Sequence, residues 1–118
     1  MKHGVLRIFK VLKFSYSGMK YLLKEESFRQ ELILGAIGWA LLYYFGVSSI
    51  DLIIFSFLLL GLFATEALNT ALERIADKID SKINPFTKEV KDLGSVAVFF
   101  WIIPVIVWWL FTIIKVIN

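Results

Sequence analysis

The sequence predicts an all-α membrane protein with an N-terminal amphipathic surface helix followed by three transmembrane helices. Of its 118 residues, 58% are hydrophobic and the mean hydropathy is +0.75, whereas an average soluble chain has about 45–50% apolar residues. Three apolar segments approach the roughly 20 residues that a membrane-spanning helix requires. Each is predicted to be helical, because backbone groups in lipid need partners within the segment. This length predicts a single domain, residues 1–118.

The surface helix is predicted over residues 5–24. Apolar side chains recur there at three- and four-residue intervals, and Arg7, Lys10 and Lys13 fall largely between them. This pattern is typical of a basic helix lying on an anionic membrane surface. The simplest interpretation is that this helix only anchors the protein to the membrane surface. The more specific interpretation is that its basic side chains contact phosphate.

The membrane helices are predicted at about residues 29–47, 50–74 and 85–115. The apolar part of the first, residues 32–47, is short, so Glu31 is expected to lie near the interface. Asn84 followed by Pro85 predicts the start of the last helix, with Asn84 as the N-cap and Pro85 at the first helical position.

The orientation follows from the distribution of basic residues. Of the 13 Lys and Arg residues, all except Lys115 precede the first span or lie between the second and third. Cytoplasmic segments carry the excess of Lys and Arg, so the N-terminus is predicted to be cytoplasmic and the C-terminus outside. No cleavable signal peptide is evident. The outer interface is predicted to carry an aromatic belt formed by Tyr43, Tyr44, Trp108 and Trp109.

The composition excludes several kinds of site. The chain has no cysteine and one histidine, His3 near the terminus, so a zinc centre built on these residues is excluded. A metal would have to be held by carboxylates, which favours a hard cation such as Mg²⁺. The phosphate-binding loops of soluble kinases are absent from the sequence.

The segment EALNTALERIAD, residues 66–77, places polar residues where a membrane helix should be apolar. Glu66, Asn69, Glu73 and Asp77 fall within about 80° of one face of a helix. A carboxylate at the depth of Glu66 costs a few kcal/mol and is by default functional. Its depth suits a base that takes a proton from a lipid headgroup, and the outer carboxylates suit a cation and a polyphosphate. Solvation of the helix end remains an alternative for Asp77 and, less readily, for Glu73.

Two further groups lie at the same predicted interface. Lys91 and Asp92 begin the third span, where a lysine would neutralise phosphate and an aspartate could bind through a metal; an exposed ion pair is the simpler alternative. The segment EESFRQE, residues 25–31, adds Glu25, Glu26 and Glu31 before the first span.

Three motifs give the chain a family resemblance: ESFRQE (26–31), EALNTALERIADKI (66–79) and KDLGSVAV (91–98). With three spans in this topology, they resemble the prokaryotic integral-membrane diacylglycerol kinases, a family that includes undecaprenol kinases. The resemblance implies a Mg²⁺- and ATP-dependent lipid kinase in the bacterial inner membrane. It also implies a homotrimer with sites between subunits and no nucleic-acid partner. The SFRQE segment favours diacylglycerol over undecaprenol.

The resemblance also implies roles for individual residues. Glu66 matches the general base, and Glu25 and Glu73 match the metal ligands, with Glu26 as the alternative to Glu25. The residues matching nucleotide contacts are Arg7, Glu25, Glu73, Asp77, Lys82, Asn84, Lys91 and Asp92. The residues matching the lipid-substrate region are Ser27, Phe28, Arg29, Gln30, Glu31, Glu66, Asn69 and Ser95.

Two functions of other classes remain open from the residues alone. A proton- or ion-conducting membrane subunit would explain Glu66 and Asn69 as a relay, but it gives no role to Glu73, Lys91 and Asp92. A non-catalytic scaffold subunit would explain only the small residues available for helix packing.

Overall fold

A computed structural model describes residues 2–80, 82 and 84–118, and these residues form four helices. The helices are α1 (Lys2–Leu22), α2 (Glu26–Tyr44), α3 (Ser49–Ile79) and α4 (Pro85–Ile117). The predicted all-helical class is confirmed. The chain divides into two compact units, Met1–Leu32 and Ile33–Asn118, which are described in turn.

The first unit contains α1 and the first turns of α2. Helix α1 ends at Leu22, slightly before the predicted residue 24, because the backbone tightens: the Lys24 N–H donates to the Tyr21 carbonyl at 3.2 Å. Arg29 then donates from Nη1 to the Leu23 carbonyl at 2.9 Å. This contact satisfies a carbonyl at the end of α1 that has no helical partner.

In the second unit, α2 ends at a glycine-containing cap. Gly46 has a φ of +76°, a conformation that glycine adopts without the penalty that a Cβ would bring. The Gly46 N–H donates to the Tyr43 carbonyl and the Val47 N–H to the Leu42 carbonyl, which is the Schellman pattern. This cap places the end of the helix at Tyr44, where the sequence predicted about residue 47.

Helices α3 and α4 form an antiparallel pair. Ser48 caps α3 by accepting a hydrogen bond from the Asp51 N–H at 3.2 Å. The predicted cap of α4 is confirmed: the Asn84 side chain accepts from the Thr87 N–H at 2.9 Å, and Pro85 is the first helical residue. Helix α3 continues beyond the predicted residue 74 to Ile79, so the whole EALNTALERIAD segment is helical.

The pair is held by an apolar core and by close contacts at glycines. The core consists of Leu42, Phe55, Leu59 and Ile113. Nearer the middle of the pair, the Trp101 ring lies against Gly61 so closely that a Cβ at Gly61 would overlap it. Small residues let helices approach in this way.

Polar contacts join the helices at the end of the pair that contains Asp51 and Lys115. Lys115 Nζ lies 2.9 Å from Asp51 Oδ2. Trp108 Nε1 donates to the Asp51 carbonyl at 3.0 Å, and Trp109 Nε1 donates to the Gly38 carbonyl at 3.0 Å. Both tryptophans, predicted as part of an aromatic belt, are half-buried and direct their N–H groups to backbone carbonyls in the unit.

Within the part of the chain that the structure describes, two helices, α3 and α4, are long and apolar enough to cross a membrane. Helix α2 begins with a polar turn that includes Arg29 and Glu31, which lowers its mean hydropathy. Its role as a third span therefore stays a prediction. Many large apolar side chains are exposed along all four helices, as expected where lipid or a partner covers them.

Candidate functional site

The polar stripe of α3 becomes progressively more exposed along the helix. Glu66 is 4% exposed, Asn69 and Glu73 are half-buried, and the Asp77 side chain is 56% exposed. The four residues span 11 positions, or roughly 16 Å of helix at 1.5 Å per residue. Exposure therefore increases along the stripe from Glu66 to Asp77.

Asn69 connects the middle of the stripe to α4. Its Nδ2 donates to Glu73 Oε1 at 3.3 Å. Its Oδ1 is buried, makes no hydrogen bond among the described residues, and occupies the space that a Cβ of Gly94 would need. The reverse orientation of the amide would turn its oxygen towards the Glu73 carboxylate, an unfavourable contact between two acceptors.

The exposed end of the stripe is bound to α4 by an ion pair. Lys91 Nζ lies 2.6 Å from Asp77 Oδ1, and both side chains are about half exposed. Asp92 is paired in turn with Lys88, one helical turn earlier, at 2.7 Å. Three residues predicted to contact nucleotide therefore already have partners of opposite charge in the chain.

The connection between α3 and α4 is ordered around Asp80. Its carboxylate accepts a hydrogen bond from Asn84 Nδ2 at 2.7 Å and another from the Lys82 N–H at 2.9 Å. These bonds, chiefly the one from Asn84, hold the pKa of Asp80 below its ordinary value of 3.8. Both ends of the Asn84 amide are thus used locally, one by Asp80 and one by the cap of α4. Lys82 projects an exposed side chain from the same connection.

Except for Ser95, the other predicted site residues lie in the first unit, and their exposure varies. Arg7 is exposed on α1, while Phe28 is buried, at 1% exposure. Glu25 and Glu31 are half-buried. On α2, Gln30 Nε2 donates to Glu26 Oε1 at 3.4 Å. The exposed members of the predicted lipid region are Ser27, Arg29, Gln30 and, on α4 of the second unit, Ser95.

The described residues contain no group of three or more His, Asp or Glu side chains placed to hold a metal ion by themselves. A site for Mg²⁺ does not need such a group. Mg²⁺ keeps several waters and is commonly bound by one or two carboxylates together with substrate phosphates. Glu73 in the second unit and Glu25 in the first unit each carry a carboxylate of that kind.

Sequence reasoning missed the partners of the predicted residues. The spacing of Lys88 and Asp92, four residues apart on a helix, was a signal that could have revealed their pairing. Asp80 was not singled out, although it organises the connection that contains Asn84. Gly94 lies in the KDLGSVAV motif, but its contact with Asn69 was not predicted, because the contact depends on how α3 and α4 are aligned.

The fold and the stripe define a class of protein: an all-helical membrane protein whose candidate site runs from a buried carboxylate to exposed charges. The profile of the prokaryotic diacylglycerol kinase family matches residues 13–113. A diacylglycerol kinase of a Sinorhizobium species is 35% identical over 94 residues, covering 80% of this chain and 69% of that protein. Those of Haemophilus influenzae and Escherichia coli K12 are 32% and 28% identical, covering 81% and 90% of this chain and 82% and 88% of theirs.

The chain belongs to the prokaryotic diacylglycerol kinase family. The resemblance drawn from its three motifs is confirmed, and so is the predicted class of enzyme, a lipid kinase.

Proposed function

We propose that this protein transfers the γ-phosphate of ATP to the free hydroxyl of diacylglycerol, forming phosphatidic acid and ADP at the cytoplasmic face of the bacterial inner membrane. The observation that supports this most is the graded exposure of the α3 stripe, from 4% at Glu66 to 56% for the Asp77 side chain. A lipid alcohol arrives from the bilayer and ATP arrives from water, so a site that binds both needs one buried end and one solvent-exposed end. The relatives, each named diacylglycerol kinase, support the choice of lipid.

The buried end of the stripe provides the base. Glu66 accepts the proton of the lipid hydroxyl as the hydroxyl oxygen attacks the γ-phosphorus and the bond to the β-phosphate oxygen breaks. In phosphoryl transfer, positioning and charge neutralisation supply most of the acceleration. A base fixed on a long helix that packs along α4 meets the first requirement.

The solvent-exposed end of the stripe neutralises the negative charge of the polyphosphate and orients it. Glu73 and Glu25 would each offer carboxylate oxygens to Mg²⁺, which would offset the charge of the phosphates. Lys91 exchanges the Asp77 carboxylate for a phosphate oxygen, a partner of the same charge. Arg7, Lys82, Asn84 and Asp92 complete the nucleotide contacts, and Asn69, Ser95 and residues 27–31 complete the lipid region.

The membrane arrangement is part of the proposal. Helix α2 is the first of three spans, α1 lies on the cytoplasmic surface, and the C-terminus is outside. The exposed apolar surface of α2 and α4 supports burial by lipid and by neighbouring subunits. Three spans cannot enclose a lipid and a nucleotide, so we propose a homotrimer whose sites lie between subunits.

Transfer of labelled phosphate from ATP in mixed micelles tests the function. Diacylglycerol and undecaprenol are offered separately, and we expect transfer to diacylglycerol. Glu66→Gln should reduce turnover by at least about 100-fold, within the usual contribution of general base catalysis, while the protein remains folded and oligomeric. Glu89→Gln is the matched control, because Glu89 is exposed on α4 outside the stripe and outside the proposed contacts.

Three results would contradict parts of this proposal. Transfer to undecaprenol alone would change the substrate and leave the site intact. Full activity of Glu66→Gln would remove Glu66 from the base role. A protein that transfers phosphate to neither alcohol but conducts protons in liposomes would be a conducting subunit instead.

A further inference from the structure

The contact between Gly94 and Asn69 connects α4 to the centre of the proposed site. A Cβ built on Gly94 would overlap Asn69 Oδ1 and would lie 3.1 Å from Asn69 Cγ, but at an ordinary 3.8 Å from Asn69 Cβ. The obstruction therefore involves only the amide group at the end of the asparagine side chain. A side-chain terminus can rotate away, so a methyl group at this position displaces the amide before it separates the helices.

The same amide holds one carboxylate oxygen of Glu73. Asn69 Nδ2 donates to Glu73 Oε1 at 3.3 Å, one helical turn along α3. Asn69 Oδ1 is buried and lacks a hydrogen-bond partner among the described residues. An unpaired buried acceptor is unfavourable, so this side chain does not hold its position through its own oxygen. It is kept there by the space at Gly94 and by the bond to Glu73.

We propose that Gly94 is a positioning residue for the metal-binding end of the site. The absence of its side chain lets Asn69 lie between the helices and orient the Glu73 carboxylate. This inference rests on the proposed function, in which Glu73 is a metal ligand. Partners that orient a metal ligand commonly change metal affinity by about 10- to 100-fold when they are removed.

The test is a double-mutant cycle on Mn²⁺ binding, measured by electron paramagnetic resonance of the folded protein in micelles with a non-hydrolysable ATP analogue. Gly94→Ala and Asn69→Ala should each weaken Mn²⁺ binding by about 10-fold or more. The double variant should bind Mn²⁺ as Asn69→Ala does, since alanine at residue 69 removes the amide that obstructs the Cβ. Gly35→Ala is the matched control, because a Cβ there meets the side-chain ends of Leu59 at 3.1 Å and Phe63 at 3.6 Å, and neither residue belongs to the stripe.

The outcomes separate this inference from the function on which it rests. Unchanged Mn²⁺ affinity in Gly94→Ala, or losses that simply add in the double variant, would overturn the role of Gly94 while the kinase activity stood. A wild-type protein that binds Mn²⁺ no better than Glu73→Gln would refute the metal role of Glu73 itself. If Gly94→Ala fails to fold, a folded double variant with the affinity of Asn69→Ala still supports the proposal, and an unfolded one overturns it.

Discussion

The effect of Gly61→Ala on the free energy of unfolding should depend on which residue occupies position 101. In the wild-type protein, a Cβ at Gly61 would lie 2.5 Å from Trp101 Cη2 and 2.8 Å from Cε3. Ordinary contact begins at 3.4 Å, so the rigid ring must move by roughly 1 Å. Overpacking of this kind costs about 1–3 kcal/mol, while alanine is favoured over glycine in a helix by about 1 kcal/mol.

The two effects predict a reversal of sign. With Trp101 present, Gly61→Ala should lower the free energy of unfolding by about 0–2 kcal/mol, the overpacking cost less the helix-propensity gain. With Trp101→Leu, the overlap disappears and the same substitution should raise the free energy of unfolding by up to about 1 kcal/mol. Both are measured by titration with sodium dodecyl sulfate in mixed micelles, followed by far-ultraviolet circular dichroism.

Gly18→Ala is the control for helix propensity alone, because a Cβ at Gly18 meets nothing within 4 Å. Its effect should be the same in both backgrounds. If Gly61→Ala has the same sign and size with tryptophan and with leucine at position 101, the ring does not limit the space at Gly61, and the account of this contact is wrong.

Two further predictions concern the exposed end of the site. Asp77→Asn should change the KM for ATP by less than about fivefold, because half-exposed ion pairs are weak, whereas Lys91→Met should raise it far more; equal effects would mean that Asp77 contacts the nucleotide directly. The carboxyl of Asp80 should titrate below 3.8 in an NMR experiment, and Asn84→Ala should move its pKa back towards 3.8. Since the pKa of Asp80 is lower in the folded protein, the stabilisation of the connection is complete at neutral pH and is lost as the pH falls through that pKa. If the pKa of Asp80 in Asn84→Ala stays at its wild-type value, the lowering comes from the Lys82 N–H instead.

The parts of the structure that depend on neighbouring residues could be predicted from the sequence. The cap formed by Asn84 and Pro85 lies within one turn, and the common face of Glu66 and Glu73 follows from the helical repeat alone. Helix ends were less predictable. The sequence placed the end of α2 at about residue 47, because apolar residues continue past Tyr44, whereas the positive φ of Gly46 terminates the helix earlier.

Contacts between helices could not be predicted in the same way, because they depend on the axial and rotational alignment of α3 against α4. Lys91 and Asp77 were both identified from the sequence, yet nothing in their spacing of 14 residues showed that they pair. Trp108 has the composition of an interfacial residue, yet its indole N–H donates to the carbonyl of Asp51, 57 residues away. Each contact follows from burial of the apolar core, which sets the alignment once the helices pack.

The ion pair between Asp51 and Lys115 has a consequence for how the chain enters its membrane. In the proposed topology, Lys115 is the one basic residue of the 13 that must be translocated, and moving a lone charge through the bilayer is costly. In that topology Asp51 is synthesised first and reaches the outer side with α3, and in the folded chain its carboxylate lies 2.9 Å from Lys115 Nζ. The growing chain thereby provides the counter-ion of Lys115 before Lys115 itself is synthesised. In the completed pair of α3 and α4, the two opposite charges cancel at the outer end.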